Sequence, residues 1–290
     1  MDININKIKQ KIVKNYFSLI KDSHFKEIKS IEVEDNNKVA ICFVANKRYI
    51  EGLATVVHSL KKNNKNVPTI ILFSEDIEEA PDDVDKLIKI DVEDYRYLEM
   101  FNELNKPLLW PKSIYYKLSI FNVYGYDRIV FIDSDMLVIK DISDLWDLDE
   151  YNEFDFYATL TYPKVDDKSN QQEDKLCSAL MVINKNLLGV HVYKKLIEMA
   201  VLHKTYEGSD QGVINYYLRK KSVPCGLINQ YYNTFPCDKH ISRCKGYDRP
   251  ATILHFIGGW LKFTSWHDRI HCRKHFDQKY IDLYDEYYKG

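Results

Sequence analysis

The sequence lacks an excess of charge of either sign. Its 290 residues include 41 lysines and arginines and 43 aspartates and glutamates, which gives a formal net charge of -2. The two signs are mixed along the chain, so the basic footprint of a nucleic-acid binder is not indicated. No stretch approaches about 18 consecutive apolar residues, so the sequence predicts no membrane span.

Cysteine pairs with metal-binding spacing are also lacking. The six cysteines stand at positions 42, 177, 225, 237, 244 and 272. No two of them form a C-x-x-C pair, which argues against a structural zinc site. The first residues show no apolar signal core behind a basic end, so we expect a soluble protein of a reducing compartment, the cytoplasm.

The sequence does contain an alternation of strand and helix patterns. The continuous apolar run at 39–45 is typical of a strand buried on both faces, and helical spacing follows at 50–60. Further strands are predicted at 69–73, 87–90, 128–132, 136–139, 156–160 and 179–183, and further helices at 113–124, 190–202 and 210–221. This order predicts an α/β fold with a mostly parallel, doubly wound central sheet flanked by helices.

The chain has no internal repeat and no obvious linker, and 45% hydrophobic residues can build a sizeable core. We predict a helical extension at 1–36, one main domain at 37–266 and a helical tail at 267–290. The apolar residues of 1–36 have roughly helical spacing, which favours helices packed on the main domain. The alternative is a helix that binds a membrane surface or a partner. The seven lysines of this segment are nearly balanced by six acidic residues, which disfavours membrane binding.

Two carboxylates follow the strand predicted at 128–132. Asp133 and Asp135 stand at its carboxyl end, where open α/β sheets bind ligands, and alternate side chains of an extended chain share one side. Carboxylates gathered there need a cation, and Mg²⁺ or Mn²⁺ bind such oxygens together with substrate phosphates. A surface turn is the alternative, but four apolar residues before Asp133 favour a metal site.

A third candidate ligand, His255, interrupts an apolar run 120 positions after Asp135. An imidazole beside two carboxylates favours Mn²⁺ over Mg²⁺. Gly258 and Gly259 follow, and a glycine pair lets the backbone approach a phosphate closely. Taken alone, without the two aspartates, His255 would be interpreted as a core histidine in a strand that ends at a turn rather than as a metal ligand.

Together these segments resemble glycosyltransferase family 8, the retaining enzymes that include glycogenin and bacterial lipopolysaccharide galactosyltransferases. The resemblance runs in order over roughly 39–266. The similar segments are FVANKRY at 43–49, FIDSDML at 131–137, SALMVI at 178–183, SDQGVIN at 209–215 and HFIG at 255–258. Five matches in the same order are much more specific than any one of them.

The resemblance implies a GT-A fold, with a Rossmann-like nucleotide half, and a UDP-sugar donor. Asp133, Asp135 and His255 would hold Mn²⁺, with Mg²⁺ as the second choice. Asn46 and Tyr49 would contact the uracil. The residues expected at the donor are Ala45, Asn46, Tyr49, Lys117, Ser134, Gly258 and Lys262.

The resemblance also implies that Asp210 and Gln211 are the catalytic pair. The amide oxygen of Gln211 would stabilise positive charge on the sugar, and Asp210 would hold a sugar hydroxyl. For both residues the alternative is the start of a helix, with Asp210 as a good N-cap, and the two interpretations are compatible. For Lys117 the alternative is an exposed helix lysine.

The predicted function is therefore metal-dependent, retaining transfer of a hexose to a glycan, protein or lipid acceptor that the sequence does not identify. Cys177, Ser178 and Ala179 stand where the family often has Asn, Ser or Ala, and Gly. This difference leaves the sugar open, with glucose the first choice and galactose the second.

Three other functions compete with this prediction. A sugar nucleotidyltransferase would carry a glycine-rich basic loop after the first strand, but the segment 45–48 has no glycine. A noncatalytic sugar-nucleotide binder is separated by a turnover assay, and a structural interaction protein by a UDP-binding assay. The oligomeric state is open, a homo-oligomer included.

Overall fold

The computed structural model describes residues 5–33, 37–98, 112–161, 176–202, 209–236, 251–256 and 276–288. The strands are β1 (Ile31–Glu32), β2 (Val39–Val44), β3 (Thr69–Ser74), β4 (Lys86–Lys89), β5 (Val123–Tyr124), β6 (Arg128–Ile132), β7 (Met136–Val138), β8 (Phe156–Leu160), β9 (Leu176–Asn184), β10 (Cys225–Leu227) and β11 (Ile253–His255). The α-helices are α1 (Ile5–Glu27), α2 (Ile50–Asn63), α3 (Val190–Leu202), α4 (Asp210–Lys220) and α5 (Gln278–Tyr287). Short 3-10 segments include Lys47–Tyr49, Lys112–Asn122 and Gln230–Tyr232.

Seven strands form the central sheet in the order β10-β8-β9-β6-β2-β3-β4. The neighbours from β6 to β4 all pair in parallel, as does β10 with β8, whereas β9 runs antiparallel to both β6 and β8. The predicted α/β fold with a mostly parallel sheet is confirmed. The antiparallel insertion of β9 was not predicted, because strand direction depends on pairing over long separations in the chain.

Both faces of the sheet are covered, as the apolar run at 39–45 predicts. Alternate residues of β2 enter different core clusters, Ala40 and Cys42 on one side and Ile41 and Phe43 on the other. The first cluster includes residues of α1, α3 and α4, and the second includes residues of α2. All four β2 side chains are fully buried, as expected for a strand between two layers.

The segment predicted as a helix at 113–124 differs in the structure. It forms a 3-10 helix at Lys112–Asn122 and then β5, which pairs in parallel with β1. Residues 115–122 are all buried, so this segment lacks the solvent-facing side of a surface α-helix. Strands β1, β5 and β10 were not predicted, because two or three residues are too few to show a periodicity.

Helix α1 packs on the main domain along one face. Phe17 is 1% exposed, and Lys21 forms an ion pair of 2.8 Å with Glu198 of α3. The divisions at 36/37 and 266/267 stay predictions, and the second lies outside the described residues. Among the helices that the structure describes, none is long and apolar enough to cross a membrane.

Candidate active site

The two aspartates lie in a tight turn at the carboxyl end of β6. The backbone N–H of Asp133 donates to the carbonyl of Ala179 in β9 at 2.9 Å, which extends the strand pairing by one residue. The chain then turns, and the N–H of Met136 donates to the carbonyl of Asp133 at 3.2 Å. The extended backbone predicted for 133–135 is therefore wrong, because the chain must leave the sheet here to enter β7. Ser134 lies within the turn and is partly buried.

The pairing of β7 with β11 brings His255 to the same place. His255 is the antiparallel partner of Met136, the residue after Asp135. The N–H of Phe256 donates to the carbonyl of Asp135 at 2.8 Å. Nε2 of His255 consequently lies 3.3 Å from Oδ1 of Asp135. A short strand pair thus joins segments that are 120 positions apart.

One ligand atom from each of Asp133, Asp135 and His255 lies within 4.8 Å of the other two. The three predicted metal ligands are therefore together. Two carboxylates and a neutral imidazole are a donor set suited to a divalent first-row cation. Asp133 and Asp135 are partly exposed, so a cation from solvent can reach their carboxylate oxygens. His255 is 6% exposed, so its ring is fixed by the surrounding protein.

Lys117 is a buried cation between carboxylates, which contradicts the alternative of an exposed helix lysine. Its Nζ lies 2.9 Å from Oδ1 of Asp133 and 3.2 Å from Oδ2 of Asp210, and it donates to the carbonyl of Ser178 at 3.1 Å. Burial opposes the charged ammonium, but Asp133 and Asp210 outweigh it and raise the pKa of Lys117 above its usual value. Lys117 thereby ties the metal-ligand turn to the start of α4.

The charge of this group is dominated by carboxylates. Within the part of the chain that the structure describes, Asp133, Asp135 and Asp210 lie around one ammonium, that of Lys117, so these side chains together favour an added cation. Burial raises the pKa of Asp133 above its usual value, as does nearby Asp135, although Lys117 lowers it. A partly buried carboxylate with a like charge beside it gains by binding a cation.

The predicted catalytic pair lies at the N-terminus of α4, against β9. The Ser178 hydroxyl donates to Oδ2 of Asp210 at 2.8 Å, and Oε1 of Gln211 accepts from the Ser178 backbone N–H at 3.2 Å. The N-cap is Ser209, whose hydroxyl accepts from the Gly212 N–H at 3.4 Å. The helix start that was the alternative for this pair is confirmed, since α4 begins at Asp210, but the N-cap is Ser209 and not Asp210. Asp210 is 3% exposed, and its carboxylate faces Lys117.

A buried amide supports His255 from behind. Nδ1 of His255 lies 2.8 Å from Oδ1 of Asn233, and Nδ2 of Asn233 donates to Oγ1 of Thr159 at 2.8 Å. Asn233 and Thr159 were not predicted as site residues. Asn233 follows two tyrosines in a segment without a motif, so only its spatial position identifies it. Ser178 begins the family-like segment at 178–183, but its links to Asp210 and Gln211 were not predicted.

The residues predicted at the nucleotide lie on the loop after β2. Ala45 is buried and its N–H donates to Phe73 at 3.1 Å, while Oδ1 of Asn46 caps the following turn by accepting from Arg48 at 3.1 Å. Tyr49 is partly buried and packs against two core clusters, one that includes residues of α2 and one that includes residues of β11 and α5. Gly258 and Lys262 lie outside the described residues.

The model of the family described as "Glycosyl transferase family 8" matches residues 40–269. The chain belongs to glycosyl transferase family 8. Membership indicates a sugar-transferring enzyme and confirms the resemblance drawn from five ordered motifs.

Several family 8 proteins illustrate the similarity. Glycogenin-1 of Caenorhabditis elegans is 24% identical over 82% of this chain and 53% of its own length. Inositol phosphorylceramide glucuronosyltransferase 1 of Arabidopsis thaliana is 25% identical over 63% of this chain and 30% of its own. The chain thus spans about half or less of these relatives.

Solved structures support the fold. An active-site mutant of LgtC has a TM-score of 0.60 at 14% identity, and the galactosyltransferase LgtC with donor and acceptor sugar analogs has 0.56 at 15%. Each match covers 87% of this chain and 96% of that chain. The similarity identifies the GT-A fold and, at such identities, carries no statement about the substrate.

Proposed function

We propose that this family 8 member transfers a hexose from a UDP-sugar to an acceptor with retention of configuration, using a divalent cation held by Asp133, Asp135 and His255. The convergence of these three side chains at the carboxyl end of β6 is the observation that carries the proposal. Mn²⁺ is the preferred cation because one ligand is an imidazole. Glucose is the first choice of sugar and galactose the second.

The cation, when bound, would neutralise charge that develops on the leaving diphosphate. Asp133 and Asp135 would supply its oxygen ligands, and His255 would supply Nε2. Lys117 holds Asp133 in the turn through a contact of 2.9 Å and at the same time holds Asp210 at the start of α4. The proposed metal ligand Asp133 and the proposed sugar-facing residue Asp210 are therefore linked through the ammonium of Lys117.

Asp210 and Gln211 act on the sugar in this proposal. The carboxylate of Asp210 accepts from Ser178 and faces Lys117, so it is held in one orientation in which it can also accept from a sugar hydroxyl. The amide oxygen of Gln211 is held beside β9 because it accepts a hydrogen bond from the Ser178 N–H. An amide oxygen can stabilise positive charge at the reacting carbon without forming a strong base.

Tyr49 and Asn46 are proposed at the uracil, on the loop that follows β2. This loop adjoins the carboxyl ends of β2 and β3, the edge at which open α/β sheets bind nucleotides. Gly258 and Lys262 are proposed at the diphosphate on sequence similarity alone. The acceptor is a glycan, a protein or a lipid, and its identity, like the cytoplasmic location, stays a prediction.

The test follows UDP release from UDP-glucose, UDP-galactose and UDP-glucuronate with Mn²⁺ and with water as the only acceptor. UDP-glucuronate is included because one relative is named a glucuronosyltransferase. We expect one donor, UDP-glucose first, to be hydrolysed in preference, and the activity to disappear in excess chelator. Full activity in chelator would contradict the metal site, and failure to bind UDP would contradict the donor class. Asp135→Asn, which removes one proposed metal ligand, should lose this activity. Asp149→Asn, at an exposed position, is its control and should keep it.

A further inference from the structure

Asn233 is the most completely enclosed polar side chain beside the candidate metal ligands. It is 0% exposed, and both ends of its amide are engaged, Oδ1 with Nδ1 of His255 and Nδ2 with Oγ1 of Thr159, each at 2.8 Å. Thr159 in β8 is also 0% exposed. The amide therefore connects the central sheet to the candidate metal site through a bond from which water is excluded.

This contact determines which nitrogen of His255 can bind a cation. An amide oxygen only accepts, so Nδ1 must carry the hydrogen in this bond. In a neutral imidazole the lone pair then lies on Nε2, the nitrogen that faces Asp135 at 3.3 Å. If the amide were absent, both tautomers would be available, and the one protonated at Nε2 cannot bind a metal.

We infer that Asn233 is a positioning residue that holds the Nδ1 hydrogen of His255 and so presents Nε2 to the cation. The inference rests on the proposed function, since the cation is the one proposed there. Asn233 touches neither the cation nor the donor in this arrangement; it acts through the imidazole. Partners behind a metal-bound histidine fix its ring orientation in the same way and affect metal affinity by about 10–100-fold.

Backbone hydrogen bonds beside Asn233 hold its amide next to the His255 imidazole. The N–H of His255 donates to the carbonyl of Thr234 at 2.9 Å, and the N–H of Thr234 donates to the carbonyl of Ile253 at 3.0 Å. The ring of Phe235 lies 5.4 Å from the imidazole, tilted by 32°. The imidazole is thus held by a strand pair, by a flat apolar ring and by the Asn233 amide, all of which are independent of the cation.

The experiment measures Mn²⁺ binding to the full chain by the loss of the free-ion electron paramagnetic resonance signal, without donor or nucleotide. Asn233→Leu keeps the branched shape of the side chain and removes its acceptor, and we expect a loss of affinity of about 10–100-fold. Asn233→Asp keeps an acceptor at the same place and should stay within about threefold of the unchanged protein or bind more tightly.

Asn64 offers a matched control, because it is buried and also uses both ends of its amide. Its Oδ1 accepts from the Ile142 N–H at 2.7 Å, and its Nδ2 donates to the Leu60 carbonyl at 2.9 Å. Asn64→Leu should lower the melting temperature but leave Mn²⁺ affinity unchanged. If either leucine variant does not fold, Asn233→Ala and Asn64→Ala replace the pair.

Equal losses of Mn²⁺ affinity at the two asparagines would overturn the inference, because the loss would then follow stability alone. So would wild-type affinity in folded Asn233→Leu, and in either case the proposed function would stand. Absence of Mn²⁺ binding by the unchanged protein would instead overturn the proposed metal site, and this inference with it.

Discussion

Oδ1 of Asp135 lies 3.3 Å from Nε2 of His255, although the two residues are 120 positions apart in the chain. The antiparallel pairing of β7 with β11 produces this contact, since it sets His255 opposite Met136. The Asp135 carboxylate and the His255 imidazole, both proposed to bind the cation, are therefore adjacent. Effects of substitutions at this pair should depend on whether the cation is present.

Asp135→Ala should weaken UDP binding by about tenfold or more in Mn²⁺, equivalent to about 1.4 kcal/mol. Without metal the affinity should change little, because the carboxylate is proposed to reach the diphosphate only through the cation. Titration calorimetry with UDP, in Mn²⁺ and in chelator, measures both. Asp149→Ala is the surface control. Equal weakening in the two conditions would point to misfolding instead.

Lys117→Met should make the metal-free protein less stable and increase the stabilisation that Mn²⁺ gives. The substitution leaves the partly buried carboxylate of Asp133 and the buried carboxylate of Asp210 without their shared ammonium, which is costly. Bound Mn²⁺ would then neutralise Asp133, so the rise in melting temperature on adding Mn²⁺ should exceed that of the unchanged protein. Lys185→Met, at an exposed pair of 3.6 Å, should show neither effect. A smaller rise in melting temperature with Mn²⁺ in Lys117→Met than in the unchanged protein would contradict the view that the Lys117 ammonium and Mn²⁺ neutralise the same carboxylate.

Arg128→Lys should destabilise the fold without directly altering the site. The guanidinium is 1% exposed and donates to Asn184 at 2.9 Å and to the carbonyls of Glu150 and Tyr151 at 2.7 and 2.8 Å. One ammonium cannot reproduce this planar set of bonds. We expect a loss of at least about 1.5–3 kcal/mol, the range for one hydrogen bond to a charged group, in urea denaturation. Exposed Arg219→Lys should change the midpoint little, and a similar small effect at Arg128 would show that the bonds contribute less than supposed.

Asp94→Asn should stabilise the protein near pH 7 and not near pH 4. Burial raises the pKa of Asp94 to about 6 from its usual 3.8, although the Tyr193 hydroxyl donates to it at 3.0 Å and lowers it. The folded state therefore holds this proton more tightly than the unfolded state, and stability falls as pH rises between about 4 and 6. Asn keeps an acceptor for Tyr193 but carries no charge.

The difference between the urea unfolding free energies of Asp94→Asn and the unchanged protein isolates this group from all others that titrate. It should be near zero at about pH 4 and grow in favour of Asn up to about pH 6. A difference that is constant with pH would show that the charge of Asp94 is not the cause.

The sequence predicted the parts of the site that lie next to strong local patterns. Asp133 and Asp135 follow a fully buried strand, and the motif order identified the family. The turn at Ser134 could not be predicted, because it lies where the chain leaves the central sheet after β6 and enters β7, which pairs with β11. The role of Asn233 depends on contacts to Thr159 and His255, neither of which is a sequence neighbour. Tertiary packing of this kind overrides the local pattern.

Gln211→Ala and Gln211→Glu should both change turnover far more than donor affinity. A residue that stabilises charge at the reacting carbon acts mainly in the transition state, so its loss lowers kcat with little change in binding. Ala also removes the bond from the Ser178 N–H, whereas Glu keeps an oxygen that can accept it. Turnover and donor affinity are to be measured on the same folded samples.

The competing view is that Gln211 only ties α4 to β9 through Ser178. Gln211→Ala would then lower the melting temperature and leave turnover near wild type, and Gln211→Glu, which keeps the tie, would change neither. Under the catalytic view Gln211→Glu keeps its stability but alters turnover, because a carboxylate at this place either stabilises the cationic sugar more strongly or captures it covalently. The glutamate variant therefore separates the two views without relying on a destabilised protein. A change in turnover below about threefold in both variants, roughly 0.65 kcal/mol on the activation scale, would remove Gln211 from the catalytic residues.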